Sequence, residues 1–525
     1  MADKTYDAIV IGGGTKGLVL GNYLQRYGGM KTAIFERRHE LGGGMSSEES
    51  PAPGFIADHH ATDICKWYWT LMEKDFPELK ERGLKWIPYV IPMGGVFTED
   101  SDCWLVYGEE EDPSGGKTAR VWSRFSEKDG ETFMKLWGLY HNLVRPAFLR
   151  SMNTPVTPMG EPDPMERVMP EFVRGLGLDE PFCYFQSPIE LFRDIFESDA
   201  LIAGMFRIVH SWTAASPHEY AMGLIALIGA MVFTDMGNLE GGTHSAAHAT
   251  YKLFVEDGGE TFTEHEVDKV IIENEKAKGI RLKDGTEVEA KKMVISTLSP
   301  RQLVFDITGK EHWAQRTLRR VENLEDWRIT IMWYFWALHE LPWFEKAAQI
   351  LPDIQKVGAL AIGNKDVESL TRNTALRLLG QWDWGENLLL VSYTIHDKKR
   401  APEGKHVILT EDFQPGANWF SEKEWREYKK RHQEQVLRTL QKVAPNMTWD
   451  NVVGCVPNTP FDHCRLLNMA PAGNWGIIDH TPTQLGKFRP VPELARHRTP
   501  IKGLYATGSA WPHSGGAWPF QGYTC

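Results

Sequence analysis

A glycine-rich turn near the start of the chain most restricts how this sequence can fold. The apolar run Tyr6–Ile11 has the composition of a buried parallel strand. Gly12, Gly14 and Gly17 follow it, and the residues after them are apolar at helical spacing. Strand, glycine turn and helix in this order predict a Rossmann unit, whose backbone amides and helix N-terminus bind the diphosphate of a dinucleotide.

An acidic residue follows the next predicted strand at the distance that this unit requires. Residues 31–35 form a second short apolar run, which ends at Glu36, 19 residues after Gly17. A carboxylate in this place accepts hydrogen bonds from an adenosine ribose and repels a 2′-phosphate. The spacing therefore favours FAD or NAD over NADP.

A second glycine turn distinguishes between these two cofactors. Gly42, Gly43 and Gly44 occur shortly after Glu36. NAD-dependent enzymes need no glycine turn here, whereas an FAD that extends through the domain passes close to such a turn. The two turns together favour FAD.

The composition indicates a large folded protein that does not bind nucleic acid. The chain has 525 residues, of which 42% are hydrophobic, enough for two or three domains. Its 58 Lys and Arg residues against 70 Asp and Glu residues give a net charge of −12, and no long basic run occurs. The six cysteines lack the spacing of zinc ligands or of a CxxC motif, which predicts a reduced compartment and no metal site.

The sequence predicts a cytoplasmic protein. No charged and then apolar leader precedes the first predicted strand. The longest apolar run, Ala221–Phe233, has thirteen residues, whereas a helix that spans a bilayer needs about 20. This run is buried, lines a cavity or touches a membrane surface, so peripheral membrane contact stays open as an alternative.

Three separated segments of the chain contain motifs that occur together, in this order, in one family of proteins. Residues 6–60 contain both glycine turns. Residues 241–301 contain the hairpin KGIRLKDGTEVEA, and residues 459–523 contain RTPI, GLYATG and HSGG. With these motifs the chain resembles the phytoene desaturase and phytoene dehydrogenase-like family, which belongs to the amine-oxidase-like FAD proteins.

The resemblance implies where the chain meets FAD. Gly508 and Ser509 would contact the ribityl phosphate, and the Gly515-Gly516 turn would approach the isoalloxazine ring. The motifs and the resemblance together give these predicted cofactor-binding residues: Gly12, Gly14, Thr15, Gly17, Glu36, Arg37, Gly42, Gly43, Gly44, Met45, Val267, Gly508, Ser509, Gly515, Gly516 and Ala517.

Two positions depart from the pattern of that family. Gly44 stands where many desaturases have Arg, and Asp58 is followed by two histidines where a Gly-Pro pair is common. A hydrocarbon tunnel gains nothing from histidines, so His59, His60 and His513 are candidates for proton transfer or substrate orientation. A structural role, with the ring hydrogen-bonded, explains each of them equally well.

The predicted fold is α/β, with a Rossmann-like FAD-binding domain built from discontinuous segments and a mixed α+β substrate-binding domain. The first domain is assigned residues 1–75, 240–305 and 485–525. The second is assigned residues 76–239 and 306–484, which are rich in Trp, Phe, Met and Pro. The aromatic run at 328–338 either lines an apolar pocket or packs in the core.

The expected function is that of an FAD-dependent oxidoreductase. It would desaturate, or in reverse reduce, a C–C bond in an apolar isoprenoid, terpenoid or alicyclic substrate by hydride transfer with flavin N5. The sequence has no second complete dinucleotide motif, so oxygen, a quinone or a redox protein is the expected electron acceptor. The oligomeric state stays open.

Two other functions remain as alternatives. One is a flavin-dependent isomerase without net redox turnover. The other is a non-enzymatic prenyl-binding escort of the Rab GDP-dissociation-inhibitor type, which shares this fold and binds no flavin.

Overall fold

A computed structural model describes residues 5–516 and 518–525. Its β-strands are β1 Thr5–Ile11, β2 Thr32–Phe35, β3 Ser47–Ala52, β4 Phe55–Asp58, β5 Ile64–Cys65, β6 Trp86–Pro88, β7 Ile91–Phe97, β8 Cys103–Val106, β9 Met236–Leu239, β10 Glu260–Phe262, β11 Val267–Glu273, β12 Lys276–Leu282, β13 Glu287–Ser296, β14 Ile331–Leu338, β15 Val357–Gly363, β16 Leu388–Ser392, β17 His406–Phe413, β18 Val452–Asn458 and β19 Leu504–Ala506. Its α-helices are α1 Thr15–Arg26, α2 Thr70–Asp75, α3 Gly116–Trp122, α4 Glu127–Leu139, α5 Arg145–Met152, α6 Pro164–Leu176, α7 Pro188–Ile195, α8 Asp199–Thr213, α9 Gly223–Val232, α10 His244–Glu256, α11 Gln315–Glu322, α12 Glu345–Ile350, α13 Glu368–Leu378, α14 Tyr393–His396, α15 Glu422–Gln441, α16 Pro460–Leu467 and α17 Phe520–Thr524.

The central sheet has a parallel core in the order β10-β2-β1-β13, which the antiparallel strands β12 and β11 continue. The first half of β13 pairs with β12, and its last residues pair in parallel with β19. Strands from three separated parts of the chain therefore form one sheet. This confirms the predicted α/β fold with a discontinuous Rossmann-like core, while the domain boundaries stay a prediction.

The first strand is buried on both faces. Ala8 and Val10 pack into a hydrophobic cluster that includes Leu18 of α1. Ile9 and Ile11 pack into a second cluster. Because both faces are covered, the strand is apolar along nearly its whole length instead of alternating with polar residues.

The turn between β1 and α1 requires glycine at two positions. Gly12 has a φ of +97°, and a methyl group added at Gly17 would lie 2.2 Å from the Gly12 carbonyl oxygen. The backbone of α1 thus approaches the turn more closely than a side chain would permit. This approach places the helix N-terminus at the carboxyl end of the sheet, where Rossmann-like folds bind their ligands.

The second large sheet has the strand order β18-β14-β17-β16-β15-β7-β8. Its strands pair antiparallel except β15 and β7, which are parallel. The strand β14 is buried along its whole length. Tyr334 on one face of β14 contacts His432 of α15, so this helix covers that face.

A buried ion pair joins four distant segments of the chain. Arg400 Nη1 donates to Asp58 Oδ2 at 2.6 Å, and both side chains are fully buried. Asp58 Oδ1 also accepts a bond from the Thr243 backbone N–H at 2.9 Å, while Arg400 Nη2 donates to Asn238 Oδ1 at 2.7 Å. The pair therefore fixes the ends of β4 and β9, the start of α10 and the segment before β17 relative to one another.

The longest apolar run forms the helix α9. The helix packs against α7 and α8, and most of its side chains are buried. None of the described helices is long and apolar enough to cross a bilayer.

We expect Gly17→Ala to destabilise the protein by at least about 2 kcal/mol, because the added methyl group collides with backbone that cannot move without breaking the turn. Gly138→Ala is the matched control, since Gly138 lies in α4 and a methyl group there meets nothing within 4 Å. This control should leave stability unchanged or raise it by up to about 1 kcal/mol. Urea unfolding curves measure both, and equal midpoints for the two variants would contradict the steric argument.

Arg400→Met should cost about 3–5 kcal/mol of unfolding free energy, because it leaves the Asp58 carboxylate buried without its cation. Arg372→Met removes a guanidinium that pairs with Glu386 at the surface, where both side chains are largely exposed. The surface variant should lose less than about 1 kcal/mol. Chemical denaturation of the two variants checks the difference.

Candidate functional site

A cavity of about 530 Å³ reaches both large sheets. Its lining includes Ile11 and Phe35, the last residues of β1 and β2. It also includes Ile331 and Trp333, which lie on one face of β14. Glycine turns and aromatic side chains therefore face the same space.

Most of the predicted cofactor-binding residues line this cavity. They are Gly12, Gly14, Thr15, Gly17, Glu36, Arg37, Gly43, Gly44, Val267, Gly508, Ser509 and Gly516. Gly42, Met45 and Gly515 are not part of the lining, and Ala517 lies outside the described residues. The binding role of all these residues stays a prediction.

Glu36 is held in place by backbone amides. The Gly13 N–H donates to Glu36 Oε2 at 2.8 Å, and the Arg38 N–H donates to Oε1 at 2.9 Å. The carboxylate therefore has a fixed position beside the first glycine turn. It retains acceptor capacity for hydroxyl groups, because each carboxylate oxygen can accept more than one hydrogen bond.

The second glycine turn lies directly against the first. The Gly42 N–H donates to the Gly13 carbonyl at 2.9 Å, and Gly14 and Gly42 form a parallel bridge. A methyl group added at Gly43, where φ is +58°, would lie 3.0 Å from Gly14 Cα. Only residues without a Cβ permit this approach, which leaves two strips of bare backbone facing the cavity.

Lys16 places a buried positive charge next to the C-terminal glycine segment. Its Nζ donates to Ser509 Oγ at 3.1 Å and to the Gly516 carbonyl oxygen. No described carboxylate forms an ion pair with it, and burial, followed by the charge of Arg489, lowers the pKa of Lys16 to about 7. A buried cation without a protein counter-charge fits a site for an anionic ligand.

Arg489 organises the loop that precedes the C-terminal segment. Its guanidinium is fully buried and donates to backbone carbonyls, among them those of Gly476, Gln484 and Ser509, at 2.7–2.8 Å. These bonds tie the segments around residues 476, 484 and 509 to one another. Arg489 therefore supports the position of Ser509, and through it that of Lys16.

The rings of the three candidate histidines have different surroundings. Only His60 lines the cavity, where its ring contacts Trp333 at 4.6 Å between centroids. His59 lies behind it and contacts Asn458, with Nδ1 and Nδ2 3.2 Å apart, while His513 Nε2 lies 3.1 Å from the Thr154 carbonyl. Burial lowers the pKa of all three imidazoles, so they are neutral at pH 7.

Two acidic residues in the cavity wall were not predicted from the sequence. Glu411 lies on β17, and burial, followed by the charge of Asp63, raises its pKa to about 8. Burial likewise raises the pKa of Asp63 to about 7, although the Tyr89 hydroxyl donates to it at 2.8 Å. For Glu411, the one signal in the sequence is the acidic pair at 411–412 within a mostly apolar strand.

Lys16→Met should change how the stability of the cofactor-free protein depends on pH. The pKa of Lys16 is about 7 in the folded chain and near 10.5 in the unfolded chain, so between these values only the unfolded chain holds the proton. The wild type should therefore gain stability as the pH rises from 7 to 10, by about 3–4 kcal/mol relative to the variant.

Urea unfolding at several pH values measures this difference, and the variant should be the more stable protein at pH 7. Parallel stability curves for the wild type and Lys16→Met would contradict the account of Lys16 as an uncompensated charge.

Comparisons with known proteins agree with this geometry. A family model described as an NAD(P)-binding Rossmann-like domain matches residues 10–71, which include both glycine turns and Glu36. The chain is 28% identical to pyridine nucleotide-disulfide oxidoreductase domain-containing protein 2 of Rattus norvegicus, with 97% of this chain and 90% of the relative covered. It is 24% identical to a subunit of limonene dehydrogenase from Castellaniella defragrans, with 97% and 91% covered.

Two solved structures share the fold. An oxidoreductase from Methanosarcina mazei has a TM-score of 0.60 and 16% identity, with 98% of each chain covered. Cyclohexylamine oxidase from Brevibacterium oxydans has a TM-score of 0.57 and 14% identity, with 99% of this chain and 97% of that chain covered. The chain therefore shares the fold of these two proteins, and its sequence similarity to an oxidoreductase-domain protein and to a dehydrogenase subunit extends over nearly its whole length.

Proposed function

We propose that the protein is an FAD-dependent oxidoreductase that desaturates, or in reverse reduces, a C–C bond in an apolar terpenoid or alicyclic substrate. The observation that carries this proposal is the continuity of the cavity. Residues of the glycine turns and apolar side chains of the second sheet line the same space. A dinucleotide held by the turns would thus lie beside a substrate held by the apolar wall.

The residues at the glycine end fit FAD. Glu36 would accept hydrogen bonds from ribose hydroxyls, and the backbone at Gly14 with the N-terminus of α1 would hold the diphosphate. Lys16 supplies the positive charge that the diphosphate and a reduced flavin ring require. When bound, the flavin accepts or returns a hydride at N5.

The other end of the cavity fits a substrate without strong charge. Its wall is formed by apolar and aromatic side chains, namely Tyr68, Trp212, Phe233, Met236, Ile331, Trp333, Leu389, Trp475 and Trp518. These side chains exclude water, which protects a reduced intermediate from side reactions. The neutral His60 imidazole is a hydrogen-bonding group in this wall, able to orient a substrate or accept a proton.

The electron acceptor in this proposal is oxygen, a quinone or a redox protein. A cytoplasmic location, with or without contact to a membrane surface, is compatible with each of them. The similarity to a protein whose name is that of a limonene dehydrogenase component supports an alicyclic hydrocarbon skeleton as the substrate class.

The first experiment is the visible absorption spectrum of the purified protein, followed by that of the supernatant after denaturation. A flavin spectrum and release of free FAD are expected.

Two anaerobic mixing experiments then test both directions of hydride transfer. In the first, the protein with oxidised FAD is mixed with limonene. In the second, the flavin is photoreduced and the protein is mixed with limonene derivatives that carry one more double bond. A colourless protein that FAD cannot reconstitute would overturn the proposal and favour a prenyl-binding escort. Isomerised product without any need for an electron acceptor would instead identify an isomerase.

Glu36→Gln should weaken FAD binding about 10–100-fold, because the amide loses the charge-assisted bonds to the ribose and to the backbone amides of the turn. Glu273→Gln is the matched control, since Glu273 is exposed at the end of β11 and does not line the cavity. Fluorescence titration of the apoprotein with FAD measures both affinities. Equal affinities for the two variants would show that Glu36 does not bind the cofactor.

A further inference from the structure

The register of the second sheet places one carboxyl group in the middle of the apolar wall. Trp333 on β14 pairs directly with Glu411 on β17, and Glu411 pairs directly with Leu389 on β16. Residues paired in this way point to the same face of a sheet. All three line the cavity, so the Glu411 carboxyl lies between an indole ring and a leucine side chain.

The neighbouring acid, Asp412, lies on the other face of the sheet and does not line the cavity. Asp412 points to the opposite face, where its Oδ2 lies 2.6 Å from His432 Nε2 and accepts a hydrogen bond from Gln414 Nε2 at 2.7 Å. Its Oδ2 therefore has two partners beneath α15, whereas Oδ1 is buried without a hydrogen bond from a described residue. Glu411 is 95% buried and forms no ion pair with a described residue, although burial without a counter-charge is costly for an ionised carboxyl group.

The surroundings of Glu411 favour its protonated form. The charged groups that act on it are both acids, Asp63 and Asp412, and the indole N–H of Trp333 only partly opposes them. Burial lowers the pKa of His60 in the same wall, so its imidazole is neutral at pH 7 and supplies no positive charge to Glu411. A neutral carboxyl group in an apolar wall is a hydrogen-bond donor that seeks an acceptor atom.

We propose that Glu411 is a substrate-binding residue that donates a hydrogen bond to the carbonyl or hydroxyl oxygen of an oxygenated alicyclic or terpenoid substrate. A plain hydrocarbon in the same place would cover the carboxyl and leave it without a partner. An amine would bind as a cation and would need an ionised Glu411, a form that burial and the nearby acid Asp63 disfavour. The substrate class thus narrows to apolar rings that carry one oxygen function, a narrowing that rests on the proposed function.

The test compares probes of equal size that differ in a single group. Isothermal titration calorimetry on the FAD-bound protein at pH 7 measures the binding of cyclohexanone, of its hydrocarbon isostere methylenecyclohexane and of cyclohexylamine. The ketone should bind the wild type about tenfold more tightly than the hydrocarbon, as one net hydrogen bond predicts. No turnover is needed, so a failure to reduce flavin would count against the proposed function and not against this binding role.

Two substitutions assign the preference to Glu411. Glu411→Met keeps the side-chain length and removes the donor, so the ketone and the hydrocarbon should bind it equally well. Glu411→Gln keeps an N–H donor and should retain most of the preference. Leu389→Met is the control, because it changes the wall beside Glu411 on the adjacent strand without removing a donor. The preference for the ketone over the hydrocarbon should stay unchanged in this variant. Urea unfolding checks that each variant is folded.

Three results would overturn the proposal. The first is a wild type that binds the hydrocarbon at least as tightly as the ketone, or that binds none of the probes. The second is tighter binding of cyclohexylamine than of cyclohexanone, which would indicate an ionised carboxylate and an amine substrate. The third is an unchanged ketone preference in Glu411→Met.

Discussion

The buried pair of Asp58 and Arg400 is the contact on which the arrangement of the site depends. The loop that carries His60 and Asp63 into the cavity begins immediately after Asp58. The strand that carries Glu411 begins a few residues after Arg400. Since the pair is fully buried and hydrogen-bonded to two further segments, the two walls of the cavity have a fixed relative position. Such precision matters for hydride transfer, because a displacement of about 1 Å between reacting groups can lower a rate about 100-fold.

The glycine end of the cavity is built from backbone, and its charge comes from one lysine. The two glycine turns lie against each other with no side chain between them, so a ligand can approach their backbone closely. Lys16 adds a positive charge that the protein itself does not neutralise. Folding without a cofactor therefore leaves this charge unfavourably buried, and an anionic cofactor would relieve the cost. Stability and cofactor binding are thus coupled through a single side chain.

The parts of the structure that depend on local sequence could be predicted, and those that depend on distant neighbours could not. The glycine turn, the position of Glu36 after β2 and the hairpin of β12 and β13 follow from spacing and turn chemistry over a few residues. The sequence left open whether Trp333 lines a pocket or packs in the core. In the structure, the register of β14 places its side chain in the cavity wall. Glu411 was not predicted, because its position in the cavity wall depends on which strands pair with β17 and on which face of the sheet lines the cavity. His59 and His513 lie close to the predicted segments in sequence, yet their rings point to Asn458 and Thr154 instead of into the cavity.

The divided pairing of β13 has a consequence for how the chain acquires its structure during synthesis. Its neighbour β1 is made before it, whereas β19, which covers the other side of its last residues, is made only when synthesis reaches residue 504. Contacts between such distant parts of a chain form slowly, because a long loop must close first. On the ribosome the central sheet therefore keeps one unpaired edge until the segment around residue 504 has emerged. During that interval the nascent chain exposes an apolar strand edge, which makes it a natural client for chaperones.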